Sequence, residues 1–171
     1  GLGNDVPDGI TLRTAGTGGD TFAGDSLTVY TGGTLSLDHT GTDTIGSLNL
    51  AGGTLLSTQS NGLNSAITIS TDSTINDGGN TLTLSGGIDK NGTVLTLTGG
   101  GNIVVNGAIT GASANSDLVV DGTTVDLNAV NTYNGPTGII NGGTINANVA
   151  GALPDPTYGA PARSDITMDD S

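Results

Sequence analysis

Short runs in which every second residue is aliphatic recur along the chain, separated by Gly-Gly, Asn-Gly or Asp-Gly. They begin with Ile10-Thr11-Leu12, Ser26-Leu27-Thr28-Val29-Tyr30, Thr34-Leu35-Ser36-Leu37, Ser47-Leu48-Asn49-Leu50 and Thr54-Leu55-Leu56. They continue through Ala66-Ile67-Thr68-Ile69, Thr74-Ile75, Thr81-Leu82-Thr83-Leu84, Val94-Leu95-Thr96-Leu97, Ile103-Val104-Val105, Ala108-Ile109, Leu118-Val119-Val120 and Val125-Asp126-Leu127. Ile139-Ile140, Thr144-Ile145-Asn146-Ala147 and a last run starting near Ile166 complete the series. A period of two buries one face of each run, so the pattern predicts strands. No apolar stripe of period 3.6 is long enough for a helix, and the Thr, Gly and Asn content opposes one. Gly32-Gly33, Gly52-Gly53, Asp77-Gly78-Gly79-Asn80 and Asn141-Gly142-Gly143 are the predicted turns, because Gly and Asn reach positive φ cheaply.

The runs also repeat at longer range. Leu27 to Leu48 is 48 − 27 = 21 positions and Gly33 to Gly53 is 53 − 33 = 20, and a period near twenty is the mark of a solenoid. Asn-Gly turns would also suit antiparallel hairpins in a sandwich, but a sandwich core usually holds large aromatics. Only four residues here are aromatic, and 33% are hydrophobic. Stacked coils need only thin aliphatic ladders inside, with Thr, Ser and Asn outside and Asn amides laddering at the corners. The expectation is therefore an all-β fold, a right-handed single-stranded parallel β-helix of about 8 coils forming one segment over residues 1–171. At ~4.8 Å per coil the rod would be on the order of 40 Å long.

All sixteen acidic residues are Asp, a turn former, and there is no Glu. With Arg13, Lys90 and Arg163 as the only basic side chains the net charge is −13, which excludes phosphate-neutralising contact with nucleic acid. No Cys is present, so disulfides, thiolate metal sites and cysteine nucleophiles are all removed. No apolar run approaches the ~18 residues of a membrane-spanning helix. The start, Gly1-Leu2-Gly3-Asn4-Asp5, carries neither Met nor a signal peptide, which reads as a processed chain or a part of a longer exported one.

One stretch, 125–154, is specific enough to compare with a family. Asn131-Thr132-Tyr133-Asn134-Gly135-Pro136-Thr137 leads into Ile139-Ile140-Asn141-Gly142-Gly143-Thr144-Ile145 and then Ala147-Asn148-Val149-Ala150-Gly151-Ala152-Leu153-Pro154. This resembles the passenger-associated transport repeat of autotransporter and related bacterial surface proteins, although Ala129-Val130 stands where the family usually has Gly-Ala. The resemblance implies a right-handed β-helix on an exported protein at the bacterial cell surface, serving as a stalk, adhesin shaft, sheath or filament subunit. It implies no catalytic residues. Residues 154–163, with Pro154, Pro156 and Pro161, are expected to leave the rod as a loop, and Leu127, Ile139 and Ile145 are expected to point inward.

Candidate chemistry is sparse. His39, the only histidine, lies in Asp38-His39-Thr40-Gly41 with Asp43 nearby, and this polar context reads as a surface loop. Gly18-Gly19-Asp20-Thr21-Phe22-Ala23-Gly24-Asp25-Ser26-Leu27 is similar to calcium-binding β-roll turns, but occurs once and out of register, so it reads as a coil corner. Ca²⁺ is the one cofactor left open. No Gly-x-Ser-x-Gly elbow is present. A pectate-lyase-like site would need clustered Asp and a basic residue in a groove, yet Asp126 is the only Asp within a clear strand run and the basic residues are scattered. Phe22, Tyr30, Tyr133 and Tyr158 are too far apart to outline a sugar platform. No catalytic, cofactor-binding or metal residue is therefore assigned.

Two function classes follow. The first is a non-enzymatic structural solenoid, self-associating end to end or stacking on neighbouring repeats, extracellular or on the bacterial cell surface. The second is a glycan-binding or polysaccharide-cleaving β-helix, with host or matrix glycans as partners.

Overall fold

A computed structural model describes residues 5–14, 18–19, 21–90, 92–154 and 166–169. Each turn of the chain lays one strand on each of three faces. The first turn is β1 (Asp5–Val6), β2 (Thr11–Thr14) and the start of β3 (Thr21–Tyr30). The second runs through the rest of β3, β4 (Thr34–Leu37) and the start of β5 (Thr42–Ala51). The third takes the rest of β5, β6 (Thr54–Ser57) and β7 (Asn61–Leu63). Then follow β8 (Ile67–Thr71), β9 (Ser73–Asn76) and β10 (Thr81–Leu84); β11 (Ile88–Asp89), β12 (Leu95–Thr98) and β13 (Asn102–Val105); and β14 (Ile109–Thr110), β15 (Leu118–Asp121) and β16 (Thr124–Leu127). Finally β17 (Thr137–Ile140), β18 (Thr144–Ala147) and β19 (Ile166–Asp169) extend two of the faces.

The fold is thus an all-β solenoid of about six three-sided turns, a little fewer than the eight coils expected, although the middle face carries eight strands. Every strand pair is parallel. That excludes the hairpin sandwich: the Gly-Gly and Asn-Gly turns are corners of a coil and reverse no strand. Register follows the sequence period. Leu35 pairs with Leu55, Leu55 with Ile75, Ile75 with Leu97, Leu97 with Val120 and Val120 with Ile139, a ladder that places one aliphatic residue above another at every turn.

All members of that ladder from Leu35 to Val120 are fully buried. Equivalent ladders run through Leu27, Leu48, Ile67, Ile88 and Ile109 on the first face and through Leu63, Leu84, Val105 and Leu127 on the third. Each buried aliphatic side chain contributes roughly 1.5–3 kcal/mol, which is how a chain with so few large residues still builds a core. Leu127 points inward as expected and Ile145 packs half-buried against the core, whereas Ile139 keeps the inward register yet remains half-exposed. The expected turn at 141–143 is present, with Asn141 at φ 51° and Gly142 at φ 73°.

Outside, amides ladder from coil to coil. Asn128 Nδ2 donates to Asn106 Oδ1 at 2.9 Å, and Asn148 Nδ2 donates to Asn128 Oδ1 at 2.7 Å. Among the described residues no helix is long and apolar enough to cross a membrane, which does not bear on β-barrel spans. The proline loop expected over 154–163 falls almost entirely outside the described residues, as does Arg163.

Candidate functional site

The polar groups that the fold gathers lie inside the solenoid, and three clusters stand out. Their arrangement corrects several expectations.

His39 is not on a surface loop: it is 1% exposed. The segment Asp38–Gly41 between β4 and β5 turns its side chain inward, where Nε2 lies 2.8 Å from Asp43 Oδ1. A carboxylate only accepts, so Nε2 carries the proton and donates. Thr14, at the end of β2 one turn earlier, donates Oγ1 to Asp43 Oδ2 at 2.9 Å. Asn61 closes the cluster from the next turn, donating Nδ2 to the carbonyls of Leu37 and His39. His39 Nδ1 is buried with no partner among the described residues. Asp43 is bound on both oxygens, so the cluster ties three turns together. Asp38 instead faces outward, accepting from Arg13 Nη1 at 3.3 Å and from Thr58 Oγ1 at 2.5 Å.

The second cluster is built on Asp77, at the corner after β9. Gly79 N donates to its Oδ1 at 2.7 Å, Gly101 N to the same oxygen at 2.8 Å, and Thr123 Oγ1 to Oδ2. The intervening turn places Gly99 beside Asp77, and a Cβ there would lie 2.4 Å from Asp77 Oδ1. Glycine in the middle turn thus lets one carboxylate reach the turn beyond.

Lys90 follows the same plan. Two residues beyond the pair Ile88–Ile67, it occupies the inward position that Ile69 holds one turn earlier, and it is 0% exposed. The next turn offers Gly111 at this position, and the turn after that offers Tyr133, seated by Thr132 N and Asn134 N donating to the carbonyls of Ile109 and Gly111. Lys90 Nζ stands 4.3 Å from the Tyr133 ring centroid and donates to Ser116 O at 2.5 Å. Burial pushes the amine down to about 7, against the opposing pull of the Asp117 charge. Burial pushes the Tyr133 phenol up, opposed by its hydrogen bond with Thr137 Oγ1 at 2.7 Å.

Lys90 is therefore not available as a base in an outer groove, and Tyr133 is no sugar platform. Tyr30 is 44% exposed on the opposite stretch of the rod, and Phe22 contributes backbone to β3. Tyr158 lies outside the described residues. The expectation that Asp126 is the only strand Asp is also corrected, since Asp5, Asp25, Asp43, Asp89, Asp121 and Asp169 all lie within strands. Asp126 itself points outward from β16. It accepts from Asn102 Nδ2 at 2.9 Å and Asn146 Nδ2 at 2.7 Å, and these amides hold its carboxyl below the ordinary Asp range against partial burial.

The calcium-like segment Gly18–Leu27 runs into β3 at Thr21, and the register shift between Phe22 and Ser26 marks the bend by which β3 passes from one face to the next, so the segment holds a coil corner inside a continuous strand. Asp20 lies outside the described residues. Among the described residues no three His, Asp or Glu side chains converge on a metal position.

What this arrangement does chemically is hold coils together. Each cluster links a buried polar side chain to neighbouring turns by hydrogen bonds, and each leaves its reactive atoms covered. Compared with family models, with curated proteins and with solved structures, the chain matches none of them.

Proposed function

We propose that this chain is a structural rod segment of a bacterial extracellular or cell-surface protein, of the stalk, shaft or sheath kind. The observation that carries the reading is the placement of its polar chemistry: Asp43, Asp77 and Lys90 are buried and committed to bridges between turns. The outer faces, rich in Thr, Asn and Asp, present a hydrated acidic surface, in keeping with a net charge of −13. The resemblance of 125–154 to passenger repeats supports export. Ile10 and Leu12, flanking and within edge strand β2, are 51% and 42% exposed, while Leu35, in register with Leu12 one turn on, is fully covered. A further coil of the same protein or of another copy would cover them.

Immunogold labelling of the native, full-length protein on intact source cells tests the placement. Label on the outer surface of unpermeabilised cells supports the reading, and label only after permeabilisation overturns it. A glycan array and a lyase assay with added Ca²⁺ form the second arm, in which product formation would replace the structural role with glycan processing.

A further inference from the structure

Lys90 carries more donors than its surroundings accept. An ammonium has three N–H groups. The described residues offer it one carbonyl, Ser116 O at 2.5 Å, and one ring face, that of Tyr133 at 4.3 Å. Immediately beyond Ser116, Asp117 has the opposite defect, for its Oδ1 is buried with no hydrogen-bond partner among the described residues. Asp117 closes the segment 111–117 between β14 and β15, and its charge acts on the Lys90 amine with no hydrogen bond joining the two among the described residues. Ser116 locks that segment, because its Oγ accepts from Gly92 N at 2.9 Å and donates to Lys90 O at 3.3 Å. A lysine amine with spare donors and a carboxylate oxygen with no donor are thus both held by one loop.

We propose that Lys90, Ser116 and Asp117 form a proton-operated latch, in which protonation of Lys90 releases segment 111–117 and pairs the ammonium with Asp117 at the surface. The neutral amine suits the closed state, since it needs fewer acceptors and costs little to bury beside Ile69 and Tyr133. The charged amine suits the open state, where solvent and Asp117 satisfy it. The ionisable groups around Lys90 are few. Tyr133 faces it from two turns on and Asp117 from the loop, β8 presents no ionisable residue, and Asp89, the preceding residue in β11, is exposed on the outer face. No second cation competes for Asp117 among them.

The amine has an ordinary value of 10.5 when free and about 7 when closed. A group depressed in the closed state opens more as pH falls towards its closed value and then levels off. Opening therefore rises about tenfold from pH 8 to pH 6.

Residue-resolved amide hydrogen exchange on the whole chain, corrected for intrinsic rates, reads the latch. Protection at Gly92 and Ser116 is expected to be about tenfold lower at pH 6 than at pH 8, with Thr54, distant on β6, unchanged. Lys90→Met removes the dependence, and Asp117→Asn raises protection at pH 6 by weakening the open state. Equal protection at the two pH values, the same dependence persisting in Lys90→Met, or no effect of Asp117→Asn would each overturn the latch. Carbon NMR titration of the Lys90 Cε in the unmutated protein provides an independent reading: a midpoint near 7 agrees, and an ordinary lysine midpoint contradicts it.

Discussion

Thr123 and Asp77 are 46 residues apart in sequence and two turns apart along the rod, yet the Thr123 hydroxyl donates to the Asp77 carboxylate in the interior. Gly99, one turn beyond Asp77, leaves the space through which the carboxylate reaches. Lys90, Gly111 and Tyr133 repeat the arrangement on another face. A polar side chain, a glycine one turn on and a partner two turns on make a staple that joins non-adjacent coils.

Thr123→Val keeps the shape of the side chain and removes the donor, leaving Asp77 Oδ2 buried and unpaired. The expected cost is about 1–3 kcal/mol, seen as a lower urea midpoint with an unchanged slope. A midpoint equal to that of the unmutated protein would mean that Asp77 is held without the staple.

Lys90 makes global stability depend on pH in a definite direction. Its folded value of about 7 is depressed from 10.5, so the folded state loses stability relative to the unfolded chain as pH falls from 10.5 to about 7, and is then level. The slope over that window is about 1.4 kcal/mol per pH unit at most. The raised Tyr133 phenol acts at the other end, contributing stability that is lost above its ordinary value of 10.0. Chemical denaturation between pH 7 and 10 should show stability rising with pH in the unmutated protein and nearly flat in Lys90→Met, which is also the more stable at pH 7. Parallel curves for the two proteins would exclude a buried, neutralised lysine.

Corner packing gives a steric prediction. A Cβ on Gly107 would lie 2.0 Å from Gly86 O, whereas one on Gly87 would meet nothing nearer than Ala108 O at 3.4 Å. Gly107→Ala should therefore lower stability by about 1–3 kcal/mol, while Gly87→Ala changes it little. Thermal unfolding of the two variants distinguishes them, and equal melting temperatures would contradict the stacking at this corner.

Much of the fold was legible because its repeating unit is local. The runs Thr34–Leu37, Thr81–Leu84 and Thr144–Ala147 were bounded correctly from alternation and flanking glycines alone. Asn61–Leu63 was missed because Asn-Gly-Leu has no alternation, and its extended form is imposed by β5 and β10 pairing on either side. His39 was misread, and the burial of Lys90 went unforeseen, for a related reason. Asp38-His39-Thr40-Gly41 and Asp89-Lys90-Asn91-Gly92 read in sequence as wet turns, and what buries His39 and Lys90 is the contact with neighbouring turns, some twenty residues away. Local polarity carries no trace of that neighbour. The one available signal was the register itself, which puts Lys90 on the inward ladder between Ile69 and Gly111.

The most direct test of the account is the register of the middle face, because the core ladders and the polar staples all depend on it. The chain has no cysteine, so engineered pairs report without background. Thr54 and Thr74 are register partners on adjacent turns, with side chains on the outer side, whereas Thr54 and Asn76 are offset by two residues. At ~4.8 Å between neighbouring strands, a register pair lies within disulfide reach and an offset pair lies at or beyond its limit. Mild oxidation of Thr54→Cys/Thr74→Cys is predicted to form an intramolecular disulfide rapidly and nearly completely, with Thr54→Cys/Asn76→Cys remaining largely reduced. Preferential closure of the offset pair, or free thiols in both, would contradict the solenoid as described.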